Sequence, residues 1–244
     1  MIRDQGIHQF PDSPLQKNPF EYTFGKPIFE YFKDDKEQKE AFDNYMTIRR
    51  DPNAPQWFDT YPVEDCLGAS LKSGPNDALL IDVGGGKGHE ISKFQRRFPH
   101  LPGRRILQDL PQTIRAIDSK PADIELMEHD FFTEQPVKGA RMYYLRAVMH
   151  DWSDSKCKVI LSRIVEAMDK DYSRILIDDY VLPNTKAGWR AASMDVFMML
   201  VASGIERTQR QWDQLLSSVD LEIVKVWKAK AGSESIIEAR IRSS

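Results

Sequence analysis

Two cysteines and five histidines in 244 residues leave little material for cross-links or metal cages. Cys66 and Cys157 lie 91 positions apart, which makes neither a disulfide framework nor a zinc-ligand spacing and predicts a reducing, cytoplasmic setting. No apolar run approaches the ~18 residues of a membrane span. The opening stretch, MIRDQGIHQFPDSP, lacks the apolar segment of a signal peptide. An excess of one charge is missing too: 34 basic residues face 37 acidic ones, for a net charge of −3, which argues against a nucleic-acid binder. These absences exclude a secreted disulfide scaffold, a membrane protein and a basic binding module. What remains is 41% apolar and 29% charged, an ordinary globular mixture, in a chain long enough to bury a core unaided.

The chain changes texture near residue 73. Residues 1–18 are polar and contain proline, which reads as an arm. From Glu21 to Arg50 the apolar positions Ile28, Phe29, Phe32, Phe42, Tyr45, Met46 and Ile48 recur near helical spacing. Asp51-Pro52-Asn53-Ala54-Pro55 breaks the pattern, a second helical stretch is expected over 57–72, and Ser73-Gly74-Pro75-Asn76 is a turn cluster. Residues 1–72 are therefore expected to be an arm with helices that pack on a catalytic domain formed by 73–244. In that second part Ala78–Val83 is a continuous apolar run of the kind buried on both faces of a parallel sheet. Shorter runs follow at 105–107, 124–126, 142–145 and 175–177. The clearest helix between them carries Cys157, Ile160, Leu161, Ile164, Val165 and Met168 on one stripe, with Ser153-Asp154 at its start. Alternation of this kind predicts a doubly wound α/β sheet. The end differs: Leu221–Trp227 alternates apolar and polar, Ala231-Gly232-Ser233 turns, and 235–240 follows, which predicts a terminal antiparallel hairpin. No internal repeat is present.

At the first strand-to-helix turn stands Gly84-Gly85-Gly86-Lys87-Gly88-His89. Glycines there let a ligand approach the main chain. A phosphate loop would need Ser or Thr after a Gly-Lys pair, and a dinucleotide fingerprint a third glycine where His89 stands, so neither pattern is complete. A plain connecting turn is the bland alternative. Asp109 weakens it: this carboxylate closes the next apolar run 23 residues after Gly86, where such a group accepts the ribose hydroxyls of a nucleoside. Asp82 either reaches the ligand's ammonium group or holds the loop.

With these residues in view, the chain resembles a known family. Asp82–Gly88, Asp109-Leu110-Pro111, His129-Asp130-Phe131-Phe132, Leu145-Arg146-Ala147-Val148-Met149-His150-Asp151-Trp152-Ser153-Asp154, Asp178–Pro183 and Gly204-Ile205-Glu206-Arg207-Thr208 appear in the order found in S-adenosylmethionine-dependent small-molecule O-methyltransferases of the caffeate type, closest to their fungal polyketide branch. The resemblance runs over roughly residues 20 to 242. It implies a class I methyltransferase (Rossmann-like) fold: a seven-stranded α/β sheet whose C-terminal hairpin is antiparallel, preceded by helices. It implies S-adenosylmethionine as cofactor, with Gly84 and Gly86 at its methionine end, Asp109 at the ribose, Asp130 and Phe131 at the adenine, and Arg146 where many members have lysine; Asp82 and Leu110 are counted with the cofactor-binding residues.

The same resemblance makes His150 the general base. An imidazole of ordinary pKa ~6.5 takes the proton of a phenol as its oxygen attacks the donor methyl. Asp179 and Glu206 are the implied carboxylates behind it, with Asp178 as the neighbouring alternative to Asp179. Met149, Trp152, Met194 and Met198 are the implied wall for a flat aromatic acceptor, which methionine surfaces suit. No metal-ligand cluster is expected. Members of the family carry about a hundred further residues before the first helix, which dimerise and close the partner's acceptor pocket. This chain begins in what resembles the linker, so a homodimer is expected to be weakened and the pocket open on one side. Two other functions stay open beside phenol methylation: a methyltransferase-like pericyclase and a cofactor-binding protein without turnover. An NAD oxidoreductase is a weaker one, disfavoured by His89.

Overall fold

The computed structural model of the chain describes residues 17–48, 55–67, 71–74, 76–202, 204–228 and 234–243. The arm (1–16), the break at 51–54, residues 68–70, Pro75 and the hairpin turn at 231–233 lie outside them, as do the side chains of Tyr45, Met46 and Ile48.

Every apolar run read from the sequence becomes a strand: β1 (Ala78–Val83), β2 (Arg104–Asp109), β3 (Glu125–Glu128), β4 (Met142–Arg146) and β5 (Arg174–Asp179), followed by β6 (Leu221–Lys228) and β7 (Ser235–Ile241). They form one sheet in the order β3-β2-β1-β4-β5-β7-β6. The first five are mutually parallel, with Ile81 opposite both Ile106 and Tyr143. β7 enters antiparallel between β5 and β6, setting Ile237 opposite Ile177 and Val226. The predicted hairpin is therefore present, and its second strand is the one inserted.

Strand alternation sends side chains to two faces, and each face has its own core. Ile81, Val83, Tyr143, Leu145, Ile175 and Ile177 pack with Cys157, Ile160 and Ile164 of α8 (Asp154–Val165) and with Trp212, Leu215 and Leu216 of α10 (Gln209–Ser217). Leu80, Met142, Tyr144 and Leu176 face the other way, against Ile91 and Phe94 of α6 (His89–Arg97). That second layer is completed from the N-terminal side by α4 (Trp57–Thr60) and α5 (Val63–Leu67). Trp57 lies between Phe94 at 5.5 Å and Tyr144 at 4.7 Å, near parallel to both, so residues 55–67 belong to the sheet's own core.

The expected long helices are shorter. The 21–50 stretch divides into α1 (Pro19–Phe24), α2 (Ile28–Asp34) and α3 (Lys36–Ile48). Asn18 caps α1 through the Glu21 N–H at 2.7 Å, Gly25 ends it in the left-handed region (φ 80°), and Pro27 starts the next. The 57–72 stretch breaks at Tyr61-Pro62, where proline cannot continue the preceding ladder. α7 (Pro111–Arg115) follows β2, and α9 (Trp189–Ala202) packs on α1. Among the described residues no helix is long and apolar enough to cross a membrane.

Candidate active site

In an open α/β sheet, ligands bind outside the carboxyl ends of the strands where strand order reverses. Here that point lies between β1 and β4, and the residues singled out in the sequence converge on it.

The glycine loop leaves β1 with Gly84 at φ 71° and Gly86 at φ 62°, conformations that side-chain-bearing residues rarely adopt. Its amides are used at once. Gly84 and Gly85 donate to the Gln108 carbonyl at 2.8 and 3.2 Å. Gly86 donates to Asp109 Oδ2 at 2.8 Å, while Asp109 Oδ1 accepts from the Leu110 N–H at 2.8 Å. A Cβ on Gly86 would meet nothing within 4 Å, so the loop borders open space there. A Cβ on Gly84 would instead lie 3.4 Å from the Phe131 ring and 3.1 Å from Val148. Asp82 is buried beneath the loop: a Cβ on Gly85 would stand 2.5 Å from its carboxyl carbon. Leu110 and Asp130 are exposed, and Phe131 is half-buried in edge contact with Phe132 and with Trp152.

His150 sits one turn beyond β4. The chain leaves that strand through Ala147, a non-glycine residue at φ 50°, and enters a single 3₁₀ turn over Met149–Asp151. The imidazole is 6% exposed and surrounded by acids. Nδ1 is 2.9 Å from Glu206 Oε1 and 3.8 Å from Asp179 Oδ1; Nε2 is 3.6 Å from Asp151 Oδ1. With a carboxylate on Nδ1, the neutral ring carries its proton there and presents Nε2 as the acceptor. Burial opposes the charged ring. The Asp179 charge, the Glu206 hydrogen bond and Asp151 outweigh that and raise its pKa to about 10. Burial in turn pushes Asp179 up to about 8 against the pull of the imidazole, and neither of its oxygens has a hydrogen-bond partner among the described residues. Asp151 rises to about 6 for the same reason, although its side chain keeps 22% of its surface.

The acids come from separate elements. Asp179 ends β5, and Glu206 follows α9, where its own N–H donates to Asp195 Oδ1 at 2.8 Å. Gly204, two residues earlier, lies flat on the His150 main chain: a Cβ there would overlap the His150 carbonyl oxygen and stand 3.3 Å from the Asp151 Cα. The Ile205 N–H donates to that carbonyl at 2.9 Å.

Four further residues were expected around an acceptor. Trp152 is half-buried and stacks on Phe29 of α2 at 6.1 Å. Met194 is half-buried and Met198 buried, both on α9. Met149 is not at a surface: it has no exposure and packs in the core beside Cys157. Arg146, expected at the cofactor, has carboxylate partners of its own. Its guanidinium is held by Glu90 Oε1 at 2.8 Å and Asp178 Oδ2 at 3.3 Å, and Asp178 also accepts from the Tyr144 hydroxyl at 2.6 Å. Asp178 is thus committed to Arg146 and Tyr144, which leaves Asp179 as the β5 acid that faces the imidazole. Sequence reasoning passed over Asp151, Asp195, Arg207, Phe29 and Phe132. Asp151 was within reach, since it adjoins the histidine; Phe29 carried no signal beyond a helical apolar position.

The strand order, the glycine loop with its acidic partner and the buried imidazole–carboxylate group define a class I methyltransferase fold. The chain belongs to a family of O-methyltransferase domains, whose pattern matches residues 9–220. A demethylsterigmatocystin 6-O-methyltransferase of Aspergillus parasiticus is 41% identical over 215 residues, which cover 86% of this chain and 54% of that protein. Among solved structures, one described as a pericyclic reaction enzyme superposes with a TM-score of 0.87 at 31% identity, over 99% of this chain and 62% of that one. LepI in complex with SAM follows at a TM-score of 0.86 and 31% identity, over 99% of this chain and 61% of that one. The chain spans about half the length of curated relatives it matches.

Proposed function

We propose that this chain transfers a methyl group from S-adenosylmethionine to a phenolic hydroxyl of an aromatic, polyketide-type metabolite, with His150 as general base. One observation carries the reading: a buried imidazole whose Nδ1 is fixed on Glu206, backed by Asp179, beside a glycine loop braced by an acid. The likeness to a demethylsterigmatocystin O-methyltransferase supports the acceptor class, and the SAM-bound neighbour supports the donor.

The residues fit such a donor. Gly86 offers main chain without a side chain to block it, and Asp109 stands at the sheet edge with both oxygens already oriented by amides. Gly84 and Gly86 would hold the methionine end, Asp109 and Leu110 the ribose, and Asp130 with Phe131 the adenine, while Asp82 holds the loop from below. Arg146, bound to two carboxylates, would act on the cofactor side through Glu90 at the start of α6 rather than by a free charge. When bound, the donor supplies a methyl group activated by a positively charged sulfur, whose charge also lowers the proton affinity of an imidazole nearby.

The chain's own residues do the rest. A phenol of ordinary pKa ~10 is protonated at neutral pH, and its proton must leave as the oxygen attacks. His150 Nε2 takes it. The acids around the ring raise its proton affinity, and the positive charge of the bound donor lowers it again, which frees Nε2 to accept the proton. Glu206 and Asp179 stabilise the imidazolium that results, and Asp151, partly exposed next to Nε2, offers the proton a way to solvent. Trp152, Phe29, Met194 and Met198 would sandwich the aromatic acceptor; Met149 would support this wall from the core. Free thiols at Cys66 and Cys157 support a cytoplasmic setting.

The test is direct: incubate the chain with S-adenosylmethionine and hydroxylated xanthones or anthraquinones, and measure S-adenosylhomocysteine together with the methylated product. No S-adenosylhomocysteine against any acceptor would overturn the reading. The likeness to a pericyclic reaction enzyme favours a second one, in which the cofactor is retained and the substrate rearranges. That reading predicts an isomeric product with no S-adenosylhomocysteine.

A further inference from the structure

We propose that Arg207 is a positioning residue whose guanidinium locks the one-turn helix carrying His150 by binding the main-chain carbonyls on either side of the imidazole. The inference rests on His150 being the working side chain of the site.

The turn needs outside support. A three-residue 3₁₀ turn has little ladder of its own. Its internal hydrogen bonds, Asp151 N–H to the Val148 carbonyl and Trp152 N–H to the Met149 carbonyl, are long at 3.2 and 3.3 Å. Arg207 supplies what is missing. Nη1 donates to the Met149 carbonyl at 2.9 Å and Nη2 to the Trp152 carbonyl at 2.8 Å, one residue before His150 and two after. Nε donates to Asp154 Oδ1 at 2.9 Å. The planar fork of a guanidinium spans two such acceptors at once; an ammonium is a single point.

The cation is placed at a disadvantage that packing alone does not explain. Arg207 is 1% exposed, and its only carboxylate partner among the described residues, Asp154, is half exposed to water. Burying a charge is unfavourable, and an apolar side chain could fill the space over the Trp212 ring, 5.2 Å away. What an apolar residue cannot do is donate to both carbonyls. Neighbours in the same stretch act on the same turn: Ile205 N–H holds the His150 carbonyl, and the Glu206 carboxylate holds its ring. The Arg207 carbonyl accepts from the Leu182 N–H at 2.9 Å, three residues after Asp179. One residue thus ties the imidazole turn to the strand end that carries its second acid.

The test uses the full chain labelled with ¹⁵N-histidine, with the His150 ring assigned by its loss in His150→Gln. Ring titration and exchange of the Nδ1 proton are followed by NMR, and binding of S-adenosylhomocysteine by calorimetry. Arg207→Lys keeps the charge and loses the fork; Arg207→Met keeps the stem over Trp212 and loses every donor. Both are expected to bind S-adenosylhomocysteine within about threefold of wild type, with a His150 midpoint lower by about one pH unit and Nδ1 exchange roughly tenfold faster. Where an acceptor turns over, kcat falls roughly tenfold or more and the donor KM holds. Arg207→Lys with unchanged titration and exchange overturns the proposal, as does a loss of S-adenosylhomocysteine affinity in step with it. If neither variant folds, Asp154→Asn decides at a half-exposed position: unchanged Nδ1 exchange overturns the proposal, faster exchange supports it. The ring measurements need no acceptor, so absence of methyl transfer would leave this result standing.

Discussion

Replacing Gly204 with alanine adds one methyl group at a place where the structure has none to spare. The built Cβ would overlap the His150 carbonyl oxygen and lie 3.1 Å from its carbonyl carbon and 3.3 Å from the Asp151 Cα. All three are main-chain atoms, so no rotamer change relieves the contact. Either the 204–207 stretch withdraws, which lengthens the Ile205 N–H bond to that carbonyl and the Glu206 contact with Nδ1, or the His150 turn moves. Reaching ordinary contact takes a displacement on the order of 1 Å, and misplacement of that size costs roughly 10²-fold in rate. Overpacking itself costs about 1–3 kcal/mol, which for a chain of this length lowers Tm by roughly 2–4 °C per kcal/mol. The glycine loop follows β1 and Asp109 ends β2, and an added Gly204 Cβ has its nearest neighbours in the His150 and Asp151 main chain instead, so binding of S-adenosylhomocysteine should stay within about threefold. The assay pairs initial rates of S-adenosylhomocysteine formation with calorimetry and a thermal melt. Turnover within twofold of wild type, despite the added methyl, would refute the claim that Gly204 sets the position of the base.

Three other outcomes follow from the same geometry. His150→Ala should abolish methyl transfer and leave affinity for S-adenosylhomocysteine within a few-fold; near wild-type turnover removes the ring from the base role. Asp109→Ala should weaken that affinity roughly ten- to hundredfold, the equivalent of a charge-assisted contact of about 1.5–3 kcal/mol, and unchanged calorimetry would show that the ribose lies elsewhere. Glu206→Gln should lower the His150 midpoint from about 10 by roughly one to two pH units. Because the folded-state pKa is raised, the stability it contributes is complete below the ordinary value of 6.5 and fades as pH climbs through about 10. The gap in urea midpoint between wild type and this variant should therefore be widest near pH 6 and close toward pH 10; a gap of constant width would contradict it.

The strands were legible because burial on both faces writes itself as uninterrupted apolar residues, and 78–83 is the extreme case. The hairpin was legible because polar residues interrupt the apolar ones along β6, although a register shift between Ile223 and Lys225 breaks strict alternation and leaves Val224 exposed. Helix lengths were not, since apolar spacing survives across short breaks: Phe29 and Phe32 continue a pattern that Gly25 and Pro27 have already interrupted, and Tyr61-Pro62 does the same for 57–72. For the site, His150, Asp179 and Glu206 came from resemblance, because their sequence positions are 29 and 27 residues apart and only β4, β5 and the stretch after α9 bring them together. The full burial of Met149 in the core beside Cys157 was not legible either. Gly204 meets main-chain atoms, and Arg207 donates to two main-chain carbonyls, contacts that leave no mark in residue type. The Arg146 ion pair was not legible because its partner Glu90 lies on α6, 56 positions earlier, and shows as a plain helix-start acid.

The charges at the sheet edge favour a cationic ligand. Three acids, Asp151, Asp179 and Glu206, lie within 4 Å of one imidazole. Two guanidiniums nearby are already engaged, the buried Arg207 with Asp154 and main-chain carbonyls, the half-buried Arg146 with Glu90 and Asp178. The cluster answers its own excess by holding a proton: the acids raise the proton affinity of the ring, and burial raises that of Asp179. Bringing a cation to its edge replaces part of that compensation and releases a proton, which converts the ring to the form able to accept one. After methyl transfer the same ligand is a neutral thioether and that attraction is gone. Linkage then requires that binding of S-adenosylmethionine expel protons to buffer while S-adenosylhomocysteine expels fewer. Calorimetry in buffers of different ionisation enthalpy measures that difference, and equal proton release by the two ligands would detach the acids around His150 from the charge of the donor.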